Sequence, residues 1–282
     1  MFGSTLAQPG NAGHGAGPLA LFKTAWQHRR LILRLSKREV DARYRGSMLG
    51  VVWAVLTPLL MLAVYTFVFT TIFQARWGKA GDSSGEFALL LFSGLILFTV
   101  FSECVNRAPG LLLENVSYIK KVVFPLEILP VVGLVVALFN AGLSFTILLV
   151  FYLMVLGLPP VTILLLPLVL APLCLMTLGV SWFLAASGIF LRDIRQVVGV
   201  AVSVLMFLSP IFYPISAVPD RFRWVIHLNP LTGILEQARE LLFWGNVPAP
   251  LEWALATLAG WLCAWLGYVW FMKTRRGFAD VV

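Results

Sequence analysis

Residues 128–191 read ILPVVGLVVALFNAGLSFTILLVFYLMVLGLPPVTILLLPLVLAPLCLMTLGVSWFLAASGIFL, 64 consecutive residues without one Asp, Glu, Lys or Arg. About 20 apolar residues in a helix cross a hydrocarbon core of about 30 Å. The run is therefore far too long for one crossing. Its middle carries Gly157-Leu158-Pro159-Pro160, and paired prolines, lacking N–H donors, end a helix. The stretch predicts two membrane spans, over residues 128–156 and 161–189, separated at the prolines.

Working outward, the charges serve as rulers. None lies between Arg45 and Arg76, which leaves room for a first span over 48–73. Glu86 and Glu103 bracket a second, over 87–106, short unless it runs on toward Asn106. A fifth follows Arg195, over 196–213, and a sixth covers 253–272. The fold class is thus an all-α polytopic membrane protein with six transmembrane helices. A disordered tail (1–18) and an amphipathic interface helix (19–47) precede the six-span domain (48–282). Composition agrees: the 282 residues are 60% hydrophobic and 12% charged, against about 25% charged in an average soluble domain. Mean hydropathy is +0.90. A single soluble enzyme domain is excluded, and so is disorder over most of the chain.

Basic residues orient the spans. With the N-terminus in the cytoplasm, sixteen of the 21 Lys and Arg fall on the cytoplasmic side and five (Arg76, Lys79, Arg221, Arg223, Arg239) outside. Six spans return the C-terminus, with Arg275 and Arg276, to the cytoplasm. The net charge of +8 then reports membrane topology, not nucleic-acid binding. The first 18 residues are rich in Gly and small polar types, with no basic n-region or apolar h-region of a signal peptide. Cys104, Cys174 and Cys263 form no CxxC pair, so neither a disulfide framework nor a metal site is expected.

Three segments between the spans carry pattern. In residues 19–45, at about 100° per residue, Phe22, Trp26, Leu33, Val40 and Tyr44 share one stripe. Lys23, Arg30, Arg34, Lys37, Arg38 and Arg45 gather beside it. That is the pattern of an interfacial helix on anionic lipid; Arg29, Leu31 and Arg43 break it, so the helix bends or buries a second face. A plain topogenic basic segment is the other reading. Residues 107–125 are long for a connector. They suit a short helix projecting Tyr118, Ile119, Lys120 and Lys121 toward a partner, or an ordinary loop. In the outer segment 215–252, Asn229 and Pro230 form a strong helix start. Leu231, Ile234, Leu235, Ala238, Leu241 and Leu242 follow an apolar stripe, Thr232, Glu236, Arg239 and Glu240 sit off it, and Gly245 is placed to end the helix. About 15 such residues cannot span a bilayer, but they suit a re-entrant or interfacial helix, acting as a gate or as packing.

Catalytic and coupling chemistry is sparse. The span interiors hold essentially no ionisable group, with Glu103 at a membrane edge as the one candidate. No phosphate-binding G-x-x-x-x-G-K-[ST] loop is present, and no HExxH, GxSxG or carboxylate pair occupies a loop long enough to build an active site. Any energy for uphill transport must come from another subunit.

Five stretches, in order, are RYRGSMLGVVWAVLTPLLMLAVYTFVF (43–69), SYIKKVVFPLEILP (117–130), IFLRDIRQVVGV (189–200), SPIFYPIS (209–216) and HLNPLTGI (227–234). Together they resemble the type-2 ABC exporter permeases that move bacterial polysaccharides, the O-antigen (Wzm-like) and teichoic-acid export permeases. The resemblance covers nearly the whole chain after the tail. It implies a homodimer in the bacterial inner membrane with two copies of a separate ABC ATPase, which would hold the ATP and Mg. It implies no cofactor on this chain, and a lipid-linked polysaccharide substrate, on undecaprenyl diphosphate, moved outward.

Residue by residue, the resemblance assigns ATPase contact to the 19–45 helix, with Arg43 and Arg45, and to residues 114–121, with Asn115, Tyr118, Ile119, Lys120 and Lys121. Arg192, Asp193 and Arg195 match the family's cytoplasmic arginine–aspartate motif, and Asn229, Pro230, Leu235 and Leu242 its outer gate. Spans one and five line the channel in that family. Tyr65, Phe69 and Phe73, with Phe207, Phe212 and Tyr213, are then a sugar slide or, alternatively, ordinary packing against neighbours and lipid. Pro210 and Pro214 would bend span five, leaving backbone groups in need of partners. Two other classes compete. One is an autonomous secondary transporter or flippase coupled through Glu103. The other is a membrane-embedded transferase using Asp193 with Arg192 and Arg195.

Overall fold

The uncharged run folds as two long helices broken where the prolines stand, with Gly157 at φ +83° making the turn. A computed structural model describes residues 17, 20–45, 50, 52–72, 84–121, 124–191 and 193–278. In chain order the helices are α1 (Ala20–Gln27), α2 (Arg29–Tyr44), α3 (Val52–Thr66), α4 (Ser84–Leu111), α5 (Val116–Lys121), α6 (Leu129–Val155), α7 (Leu166–Phe190), α8 (Ile194–Leu208), α9 (Asp220–Leu228), α10 (Pro230–Arg239) and α11 (Pro250–Thr274). Wider π-helical turns extend α3 over Phe67–Ile72 and α10 over Glu240–Trp244. Among the described residues there is no strand.

Among the described residues, four helical stretches are long and apolar enough to cross a membrane: Gly85–Leu111, Leu126–Val155, Val161–Phe190 and Pro250–Gly277. α3 and α8 are apolar but shorter. α4 is the hub, with 78% of its most apolar window buried against 28–39% in the other three. A helix apolar on every side belongs inside a bundle, and Leu89, Leu90 and Leu91 are wholly enclosed there. α7 and α11 form a close pair. A Cβ on Gly179 would strike the backbone of Cys263 and Ala264, and one on Gly267 the backbone of Gly179. Small residues allow such approach where water gives helices no hydrophobic push.

Several boundaries differ from expectation. The second span begins at Ser84 and continues through Glu103, Arg107 and Pro109 to Leu111, because α4 projects past the apolar layer on a helix that needs no apolar residue outside it. Arg107 and Pro109 thus belong to the helix α4, not to the connector. α8, the helix expected as span five, stops at Leu208, not 213, because Ser209 turns extended ahead of Pro210. Span six starts earlier, at Pro250 in the first helical turn. α3, the helix expected as the first span, begins at Val52 and its helical course is described to Ile72; residues 46–49, 51 and 73 lie outside the described residues. The 19–47 helix comprises α1 and α2 with a distortion at His28, although His28 N–H still donates to Thr24 O (3.1 Å) and His28 O accepts from Ile32 N–H (2.9 Å). The tail, apart from Gly17, is also outside the described residues.

Candidate functional site: a charged clasp and a buried outer hairpin

At the end of the bundle that carries most cations, α2 is clasped to α4 and α5. Glu39 pairs with Arg107, and Arg43 pairs with Glu103. Arg107 also reaches Glu114 (3.9 Å). Arg38 Nη2 donates to Tyr118 Oη at 2.8 Å, and the Tyr118 ring stacks on Phe124 with centroids 4.4 Å apart and planes 8° off parallel. Arg275, beyond α11, closes the same layer by donating to Glu127 Oε2 (2.9 Å) and Phe124 O (3.2 Å). These contacts tie α2 to α4 and α5 side chain to side chain, and tie the C-terminal end to the segment that precedes α6.

Of the residues singled out in the sequence, the clasp includes Arg38, Arg43, Glu103 and Tyr118. Asn115 donates to Leu111 O at 2.8 Å and so caps the end of α4. Ile119, Lys120 and Lys121 lie on α5, but their side chains fall outside the described residues. Arg45 is exposed just past α2. Arg192 lies outside the described residues; Asp193 is exposed and its carbonyl opens α8 by accepting from Gln196 N–H (3.0 Å) and Val197 N–H (3.3 Å). The Arg195 guanidinium and Glu114 Oε1 both lie over Gly110 of α4, where any Cβ would collide with them. Arg195 of the arginine–aspartate motif is thus brought against the C-terminal end of α4. Glu103, the candidate coupling carboxylate, is not isolated: Arg43 neutralises it.

At the opposite end, Asn229 caps α10 as its sequence predicts, accepting from Leu231 N–H (3.0 Å) and donating to Ser209 Oγ (2.8 Å). Gly245 terminates the extension at φ +69°. Leu235 and Leu242, like Leu231, Ile234 and Leu241, are buried among α4, α7 and α8; Pro230 is exposed at the helix start. The helix is enclosed beyond its apolar stripe, so Thr232 and Arg239, expected on a polar face, are buried as well. Thr232 donates to Ile226 O (2.6 Å).

Arg239 is the residue the sequence pattern missed. It is 1% exposed. Nη1 donates to Pro210 O (2.5 Å), Nη2 to Ile211 O (3.0 Å) and Nε to Leu90 O (3.3 Å), while Glu236 Oε1 lies 3.3 Å from Nη1. The carbonyls freed where α8 breaks at Ser209-Pro210 are therefore satisfied by one guanidinium. Gly94 supplies the room: a Cβ there would stand 2.6 Å from Nη2.

The aromatics of spans one and five partly converge. Tyr65 and Phe212 rings lie 6.1 Å apart, Phe212 and Phe207 6.0 Å, and Tyr213 Oη donates to Phe207 O at 2.8 Å. Phe207 is 65% exposed. Phe69 lies on the extension of α3, with its side chain outside the described residues, as is all of Phe73. Among the described residues no three His, Cys, Asp or Glu come together as metal ligands would.

Apolar helices, a polar clasp at one face and a buried broken-helix hairpin at the other are the build of an integral membrane transport subunit. Residues 30–243 match the ABC-2 type transporter family, and the chain belongs to it. It is similar to the O-antigen export system permease protein RfbA of Myxococcus xanthus, 28% identical over 268 residues, covering 94% of this chain and all of that protein. An RfbA of Klebsiella pneumoniae is 24% identical over 254 residues, 89% of this chain and 95% of its own. The polysialic acid transport protein KpsM of Escherichia coli is 23% identical over 211 residues, 74% and 80% of the two chains.

Proposed function

We propose that this chain is the membrane permease of an ATP-driven exporter that moves a lipid-linked, O-antigen-like polysaccharide outward across the bacterial inner membrane. Relatives named for O-antigen export and polysialic acid transport support the substrate class. In this reading α3 and α8 complete six spans, both termini are cytoplasmic, and α9–α10 form a re-entrant outer gate. Two copies of the chain share one channel, since a hydrated glycan needs a wider lumen than one six-helix bundle leaves. Two ABC ATPase subunits, carrying ATP and Mg, dock beneath α2 and α5.

The observation that carries this reading is the clasp: Arg38–Tyr118, Glu39–Arg107 and Arg43–Glu103 join the two elements expected to meet an ATPase to the hub helix α4. A push on α5 thereby reaches the centre of the bundle. The same pairing of Glu103 with Arg43 disfavours a proton relay through Glu103.

Gentle affinity purification from native membranes, with mass spectrometry of stoichiometric partners, tests the proposal. The expected partner bears a G-x-x-x-x-G-K-[ST] loop at one copy per permease. Lys120→Glu with Lys121→Glu is expected to weaken that association and stop export. A chain that purifies alone, and transports under a proton gradient until Glu103→Gln is introduced, would replace this reading with the secondary transporter.

A further inference from the structure

We infer that α1–α2 forms a binding surface for acidic phospholipid of the cytoplasmic leaflet, with Arg30, Arg34 and Lys37 as the headgroup contacts and Phe22, Trp26 and Leu33 as the anchor in the acyl region. The helical hydrogen bonds continuing through His28 allow α1 and α2 to be placed on one wheel at about 100° per residue. Leu21, Thr24, Ile32 and Ser36 are buried on one side. Phe22, Trp26 and Leu33 come next, within about 40° of one another, and are 47%, 70% and 62% exposed. Lys37, Arg30, Lys23 and Arg34, all exposed, fill the following sector. Beyond them stands Arg38, which turns to Tyr118 on α5. The order around the helix is therefore protein, apolar stripe, cations, coupling segment.

Depth decides the occupant. Ile32 packs on Ile128 and Val132, and Ala25, Leu31 and Leu35 join the same cluster with Val131 and Val135. These belong to the first turns of the apolar stretch Leu126–Val155, so α2 lies alongside the mouth of a span, at the boundary between headgroups and hydrocarbon. Exposed Phe, Trp and Leu at that level meet lipid, and a water-soluble subunit does not reach them. Charge selects the lipid: residues 20–38 hold six Lys and Arg and no acid, and basic side chains at this level attract anionic headgroups. Arg29 is folded back over the Trp26 ring, 4.7 Å from its centroid, with Nη1 donating to Trp26 O (2.9 Å). It stiffens the anchor and leaves Arg30, Arg34 and Lys37 to the headgroups. Lipid held there would fix the roll of α2, and with it Arg38 and Tyr118.

The test uses the full chain in mild detergent, titrated with phosphatidylglycerol or phosphatidylcholine, with bound lipid counted by native mass spectrometry. Phosphatidylglycerol is expected to bind preferentially and to be displaced by 0.5 M salt, a measurement that needs no variant. Arg30→Gln, Arg34→Gln and Lys37→Gln are each expected to weaken it about fivefold, leaving phosphatidylcholine binding unchanged. Phe22→Ser with Trp26→Ser, cations intact, should weaken both lipids. Equal binding of the two lipids by the unaltered chain would overturn the inference. So would a triple Gln variant that keeps phosphatidylglycerol but loses a co-purifying ATPase, since the surface would then be a protein dock. The readout is independent of transport, so lipid selectivity without any ATPase partner would defeat the export reading alone.

Discussion

Arg239 shows how much one side chain can hold. An unpaired buried acceptor costs about 1–3 kcal/mol, and Arg239 serves Pro210 O, Ile211 O and Leu90 O at once. Arg239→Met should therefore destabilise the protein by about 3–5 kcal/mol, the usual cost of breaking a buried charged network, read as a fall of several degrees in thermal unfolding in detergent. Gly94→Ala pushes a methyl group toward the same guanidinium and should cost about 1–3 kcal/mol. The double substitution should cost less than the sum, because without the guanidinium the alanine meets less crowding. Full additivity would mean that Gly94 and Arg239 do not share this site. The sequence revealed the break at Pro210 and its need for hydrogen-bond partners. It could not reveal the donor, since Arg239 lies 29 residues from Pro210 and a long side chain can leave the face its position assigns.

At the scale of elements, the clasp contributes geometry more than stability. Arg43 and Glu103 are 38% and 23% exposed, and pairs so placed are worth about 0–1 kcal/mol. Arg43→Glu should thus leave the unfolding temperature nearly unchanged while lowering the ATPase rate of the assembled exporter several-fold. Adding Glu103→Arg restores the pair with reversed polarity and should recover most of that rate. Recovery absent with assembly intact would remove the clasp from the coupling path. Helix existence was legible here because apolar runs set it, but helix ends were not always so. Charge marks where a helix leaves hydrocarbon, and α4 carries Glu103 and Arg107 onward without stopping. α9, with the mixed sequence DRFRWVIHL, offers no membrane-span pattern and was not anticipated.

For the whole molecule, the partners of each helix were the least legible feature. α6, α7 and α11 are apolar on nearly every face, so periodicity cannot say which face packs. The α7–α11 contact instead depends on Gly179 and Gly267, 88 residues apart. Overall orientation rests instead on a sum over Lys and Arg and needs no packing detail. It predicts that Gln27, exposed at the end of α1, faces the cytoplasm and that Ala217, exposed beyond α8, faces outward. With Cys104, Cys174 and Cys263 replaced by Ala, single Gln27→Cys and Ala217→Cys variants can be treated with a membrane-impermeant maleimide in right-side-out vesicles. Ala217→Cys should label at once, and Gln27→Cys only after permeabilisation. The reverse pattern would invert the topology, place α2 and α5 outside, and leave the basic helix facing a leaflet where no ATPase could reach the clasp.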